Sequence, residues 1–241
     1  MTFISLSFMQ GKIAGYAIFD WKNQANGMND FDITRTYFQY TDNLSDNLFF
    51  KVRFDVGRLT DNSNPDEQKL RVFLKNSYVD WTCNTSNTLS LGLIGTNSYS
   101  IQENTWGNRF IEKSPLDKGQ LTNTADFGIG YSRSFSDINL NIQLLNGEGY
   151  GSKEQNSDKT VFLRLLYGEK QLNKNNGFNI GTIYTFVPTS DNDSDILMGV
   201  FTGWSNKDIR LGFEANQVDF ESNTKSAHAL YLKRHPANHT L

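Results

Sequence analysis

Residues Leu48–Gly57 read LFFKVRFDVG. Successive side chains of an extended chain point to opposite faces. Leu48, Phe50, Val52, Phe54 and Val56 therefore share one side, and Phe49, Lys51, Arg53 and Asp55 the other. One face is wholly apolar and the other largely charged. Such a strand admits two environments. Its apolar face can pack on a second sheet with the charges in bulk water, or it can meet lipid with the charges lining a wet interior. The choice rests on how often the pattern returns and how the strands are joined.

The pattern returns along the whole chain. Strands are predicted over Ile13–Trp21, Phe31–Tyr40, Leu48–Val56, Leu70–Trp81, Leu89–Gly95 and Ala125–Arg133. Six more are predicted over Ile138–Asn146, Val161–Tyr167, Phe178–Val187, Ile196–Trp204, Ile209–Phe220 and Ala227–Leu232. Ile138–Asn146 alternates most cleanly, with Ile138, Leu140, Ile142 and Leu144 against Asn139, Asn141 and Gln143. Two strands alternate less well. Phe31–Tyr40 has no single apolar side, and Leu70–Trp81 sets Leu70, Val72, Leu74 and Tyr78 against Arg71, Lys75 and Ser77, with Phe73 and Val79 on the charged side. The 18 Phe, 10 Tyr and only 4 Pro fit a strand-rich chain. No helical periodicity is visible.

The connections segregate by length. The second, fourth, sixth, eighth and tenth links are mostly short: 42–46, 82–88, 134–137, 168–177 and 205–208. The others are longer and more polar, and the longest is Thr96–Thr124. Short turns at one end and long loops at the other mark an outer-membrane barrel. A soluble sandwich has no reason to sort its loops this way. Rings near strand ends (Trp21, Tyr40, Trp81, Tyr131, Tyr167, Phe186, Trp204 and Phe220) fit the aromatic girdles of such barrels. No run of about 18 apolar residues exists, so no transmembrane helix is expected. The net charge of −3 offers no basic surplus for a nucleic-acid partner.

Phe31–Tyr37 (FDITRTY) and Leu44–Gly57 (LSDNLFFKVRFDVG) resemble porin-like outer-membrane proteins of the phosphate-selective porin O and P group. Ala125–Phe135 (ADFGIGYSRSF) and Gln143–Tyr150 (QLLNGEGY) add to the likeness, which spans most of Gly11–Phe220. The resemblance implies a closed antiparallel transmembrane β-barrel in a Gram-negative outer membrane. It implies a homotrimer, a passive path for small hydrophilic solutes or ions, and a third long loop folded inward as a constriction. Such barrels have about sixteen strands. The twelve read here leave open a fragment of a larger barrel.

The expected layout follows. Residues 1–10 resemble the end of a secretory signal peptide or else form a short lead-in strand, 11–234 form the barrel with the inward loop 96–124, and 235–241 form an irregular tail in which Pro236 blocks ladder pairing. The expected pore-lining charges are Lys51, Arg53, Asp55, Arg71, Lys75, Asp126, Arg164, Arg210 and Glu214. The constriction loop adds Glu103, Arg109, Glu112, Lys113, Asp117 and Lys118. Lys51, Arg53, Arg71 and Lys75 lie on adjacent strands, where a local basic wall would favour anions; ordinary solvated lumen charges with weak selectivity are the competing reading.

No strand pairs a Ser with a His, so no catalytic residue and no enzyme is expected. No metal set or cofactor is expected either: Cys83 stands alone, and His228, His235 and His239 cluster near an irregular end. Two other functions remain open at this point. One is a non-transporting outer-membrane barrel acting as adhesin or anchor. The other is a soluble β-sandwich that binds carbohydrate.

Overall fold

The computed structural model describes residues 11–23, 29–58, 69–189, 194–220 and 223–234. The expected signal segment 1–10 and the tail 235–241 lie outside the described residues. Twelve strands occur among those described. They are β1 (Lys12–Asn23), β2 (Asn29–Ser45), β3 (Leu48–Arg58), β4 (Leu70–Asn84), β5 (Asn87–Gly95) and β6 (Ala125–Phe135), then β7 (Ile138–Leu145), β8 (Thr160–Gly168), β9 (Gly177–Pro188), β10 (Ser194–Ser205), β11 (Ile209–Phe220) and β12 (Asn223–Arg234). Each coincides with one of the twelve strands expected from alternation. The chain divides into two compact units, residues 1–81 and 82–241.

In the first unit β1 pairs with β2, β2 with β3 and β3 with β4, all antiparallel. Two bulges explain the two strands whose alternation was unclear. In β2, Ile18 faces Arg35 and Phe19 faces Ile33, so Thr34 is the extra residue. Phe31 and Ile33 before it share a face with Thr36, Phe38 and Tyr40 after it. In β4, Arg53 faces Asn76 and Phe54 faces Leu74, so Lys75 is extra. A bulge shifts the alternation by one. Tyr78 therefore turns to the charged face beside Lys51, and Val79 to the apolar face beside Phe50; the side assignment read from strict alternation is reversed beyond Lys75.

In the second unit β5 to β12 each pair antiparallel with their sequence neighbours. The turns are short and built on side chains that mimic backbone. Asn206 Oδ1 accepts from the N–H of Asp208 at 2.8 Å and of Ile209 at 2.7 Å. Asn84 Oδ1 accepts from the Ser86 N–H at 3.0 Å. Such Asx turns fix tight reversals without a long loop.

One face of this second unit is apolar and open. Ile142, Leu144, Leu163, Leu165, Ile180, Met198, Val200, Leu211 and Phe213 are exposed on it, and Trp204 and Tyr167 lie near the short-turn end. No second sheet covers these residues within the unit. Phe220 departs from the expected girdle. It follows Glu214, Asn216 and Val218 in step along β11, so it points to the opposite face and packs against a buried apolar cluster.

That opposite face carries Thr96–Thr124. Two short helices lie within it, α1 (Ser100–Trp106) and α2 (Pro115–Lys118), neither anticipated from the sequence. Seven and four residues are too few to show a 3.6-residue period. Their punctuation is local: Gly107 closes α1 in the left-handed region at φ 63°, and Pro115 opens α2 at its first position.

A bilayer as the solvent of the open apolar face makes a quantitative demand. Val200→Arg, in mid-strand, is expected to cost about 2–4 kcal/mol in reversible unfolding from lipid vesicles. Asp208→Arg, in the turn, is expected to change stability by less than about 0.5 kcal/mol. Equal effects would remove lipid from that face.

Candidate functional site

The polar face of the first unit gathers cations on tyrosine rings. Gln39, Arg53 and Asn76 lie abreast on β2, β3 and β4, next to Thr41, Lys51 and Tyr78 in the following row. Arg53 donates from Nε and Nη2 to Gln39 Oε1 at 3.0 and 2.6 Å. Its guanidinium carbon lies 4.9 Å from the centre of the Tyr37 ring. Arg35 approaches the same ring at 5.2 Å, and its Nη1 donates to the Tyr37 hydroxyl at 2.5 Å. Lys51 Nζ lies 5.9 Å from the Tyr78 ring. An aromatic face attracts a cation through its quadrupole, by roughly 0.5–2 kcal/mol, and leaves its charge in place. Neither Lys51 nor Arg53 forms an ion pair with a described residue.

The other expected pore-lining residues of this unit lie on the same strands. Asp55 is buried between Tyr37 and Phe73 in the register. Lys75 is buried at the bulge, and Arg71 is exposed opposite Gly57. Arg35, Tyr37 and Tyr78 were not singled out in the sequence. Both bulges hide them, because Thr34 and Lys75 break the alternation that would have placed them.

In the second unit the long loop is held against the sheet at its neck, its helix and its tip. At the neck, Thr96 N–H donates to Thr124 O at 3.2 Å and Thr96 Oγ1 to Asn123 O at 2.7 Å. Gln143 joins it to β7, accepting from Asn97 N–H at 2.9 Å and donating to Gly95 O at 2.9 Å. Arg164 reaches from β8 to Ser100 Oγ at 2.9 Å and to Asn139 Oδ1 at 3.0 Å. Arg210 reaches from β11 to Trp106 O at 2.8 Å and to Leu172 O at 3.5 Å. Lys233 on β12 donates to Asn108 Oδ1 at 2.8 Å.

Apolar packing completes the contact. Tyr99, Ile101, Leu116 and Leu121 of the loop form one buried cluster with Leu166, Ile183, Leu197, Phe201 and Val218 of the sheet. Trp106 stacks on Tyr231 with ring centres 5.1 Å apart. Thr105 presses on two glycines: a Cβ at Gly203 or Gly212 would lie 2.6 or 2.5 Å from its methyl group. Only a missing side chain lets the helix come this close. Burial pushes the Tyr99 hydroxyl well above the usual phenol range, so it stays a donor to Thr122 O.

Four of the expected pore-lining charges are buried on this face, and two of them, Arg164 and Arg210, bond the loop. Asp126, Arg164, Arg210 and Glu214 are each 8% exposed or less. Asp126 accepts from the N–H groups of Phe127 at 2.7 Å and Gly147 at 2.5 Å. Glu214 accepts from Asn216 Nδ2 at 2.8 Å and from the Tyr231 hydroxyl. Most of the six loop charges pair with one another. Arg109 binds Glu103 and, at 2.6 Å, Asp117. Lys118 binds Glu112 at 2.7 Å and, as the first cause, holds its carboxyl below the usual range. Lys113 forms no ion pair with a described residue.

Residues 10–187 match the family described as phosphate-selective porin O and P. The chain belongs to that family. It is an outer-membrane porin, and its path is one for small solutes and ions. None of the curated proteins matches it. Among solved structures the porin resembles OmpF of Salmonella typhi, determined in complex with daunomycin, with a TM-score of 0.65 and 11% identity over 92% of this chain and 73% of that one. It also resembles a loop L8 deletion mutant of OmpT, an outer membrane protein of Vibrio cholerae, with a TM-score of 0.55 and 11% identity over 95% and 78%. At such identity the likeness speaks for the β-barrel fold alone.

Arg210 offers the sharpest handle on how this porin holds its loop. Arg210→Met keeps the length of the side chain and loses two hydrogen bonds from a charged donor, each contributing about 1.5–3 kcal/mol. Amide exchange of residues 101–107 is expected to accelerate at least tenfold while the strands stay protected. Unchanged exchange would place the hold elsewhere.

Proposed function

We propose that this porin conducts small hydrophilic solutes passively and prefers anions. Lys51 and Arg53, side by side on β3 and in no ion pair with a described residue, carry this reading. Tyr78 and Tyr37 fix the two cations without cancelling them. Arg71 and Lys75 on β4 extend the same face. Side-chain charges lining a pore set its ion selectivity. Their field reaches about 10 Å at 0.1 M salt, which is comparable with the width of a diffusion pore. The family description itself names phosphate. Passage needs charge and space and no chemical step, so the reading includes no catalytic residue and no cofactor.

We further infer a homotrimer, as the family resemblance implies. Cross-linking in native outer-membrane vesicles is expected to give a three-chain species that heat dissociates; a single-chain species alone would remove this part of the reading.

Selectivity is tested in planar bilayers across a KCl gradient. The zero-current potential is expected to have the sign of chloride preference. The paired change Lys51→Glu with Arg53→Glu is expected to reverse it, and 1 M salt to diminish it. A wild-type potential of the cation sign, or one that the double change leaves alone, would refute the anion preference.

A further inference from the structure

The loop leaves space behind it. Its returning arm, together with the sheet from β8 to β11, lines a half-open cavity of about 510 Å³. Cavities of roughly 300–1,000 Å³ are the usual size of a small-molecule site. Much of the lining is polar, with Gln120, Asn123, Thr160 and Thr185 among it, and an apolar patch lies beside it: Phe162 from β8, Leu197 from β10, and Val218 and Phe220 from β11.

Three charges line the same cavity, and they differ in kind. Asp117 is held by Arg109 at 2.6 Å. Asp195 on β10 faces Val187 in the register and, two residues before Leu197, points with it. Lys113 comes from the loop. Two opposite charges, the exposed Lys113 beside Glu112 and the half-buried Asp195, thus border one apolar patch, neither in an ion pair with a described residue.

This combination selects among solutes. A simple anion satisfies Lys113 and is repelled by Asp195; a simple cation does the reverse. A neutral sugar offers a counter-charge to neither group. A zwitterion satisfies both at once. We propose that the cavity binds small zwitterions with apolar side chains, free amino acids or dipeptides. The carboxylate turns to Lys113, the ammonium to Asp195, and the side chain lies on Phe162 and Phe220. The site is separate from the cation face of β2–β4 and does not depend on the direction of ion selectivity.

Binding is read without ion flow, by saturation-transfer difference NMR on the folded full chain in lipid nanodiscs. L-leucine and leucyl-leucine are expected to receive saturation at their methyl groups. Asp195→Asn and Lys113→Gln are each expected to weaken both ligands at least tenfold. N-acetyl-leucine lacks the ammonium, so it is expected to bind wild type tenfold more weakly than leucine and to lose nothing further on Asp195→Asn. This ligand-side comparison uses the unaltered protein and holds whether or not a variant folds. Equal binding of leucine and N-acetyl-leucine, preferential saturation of glucose, or equal transfer from empty nanodiscs would overturn the proposal.

Discussion

Every backbone N–H and C=O that faces hydrocarbon must find its partner within the protein. An antiparallel sheet meets that demand and imposes a second: each residue goes to one face or the other. Ile142, Leu163, Ile180, Val200 and Phe213 take the lipid side. Charge, hydroxyl and amide are left for the other. That sorting explains why a chain with a polar average composition can still sit in a membrane.

The loop-bearing face solves a harder problem. It must hold a long irregular segment that no strand ladder fixes in place. Arg164 and Arg210 answer by donating to the loop and its flanks. A buried guanidinium is costly to desolvate, yet its five donors can satisfy several acceptors in different directions. The apolar cluster around Leu116 and Phe201 supplies the driving force, and the arginines and Gln143 supply the register. On β2–β4 the cations stand differently, resting on Tyr37 and Tyr78. The same residue types thus brace a loop in one unit and rest on aromatic rings in the other.

All twelve strands were legible, most of them because a period of two repeated over six or more residues is a strong signal. The bulges were not. Thr34 and Lys75 are unremarkable as residues, and their extra place is set by the partner strand's ladder, which a single strand does not encode. That hid Tyr78 and made Arg35 hard to place. The charged residues of the inward faces were recognised, but their roles were not separable. Arg53 and Arg164 look alike in sequence; the difference is whether a loop from some sixty residues away comes down on them. Helices α1 and α2 escaped for want of length, though Gly107 and Ser114-Pro115 mark their ends. Phe220 was misplaced because a ring at a strand's end says nothing of which side it takes.

Arg210 grips two carbonyls that come from opposite ends of the second unit: Trp106 from the long loop, and Leu172 from the connection between β8 and β9. Asn104 repeats the link by donating to Lys170 O at 3.0 Å. That connection is therefore no idle hairpin. A change of length in residues 169–176 would shift the acceptors at Lys170 and Leu172 to which the long loop and Arg210 are bonded. Grafting a foreign loop into this scaffold would have to respect a partner that its own sequence never mentions.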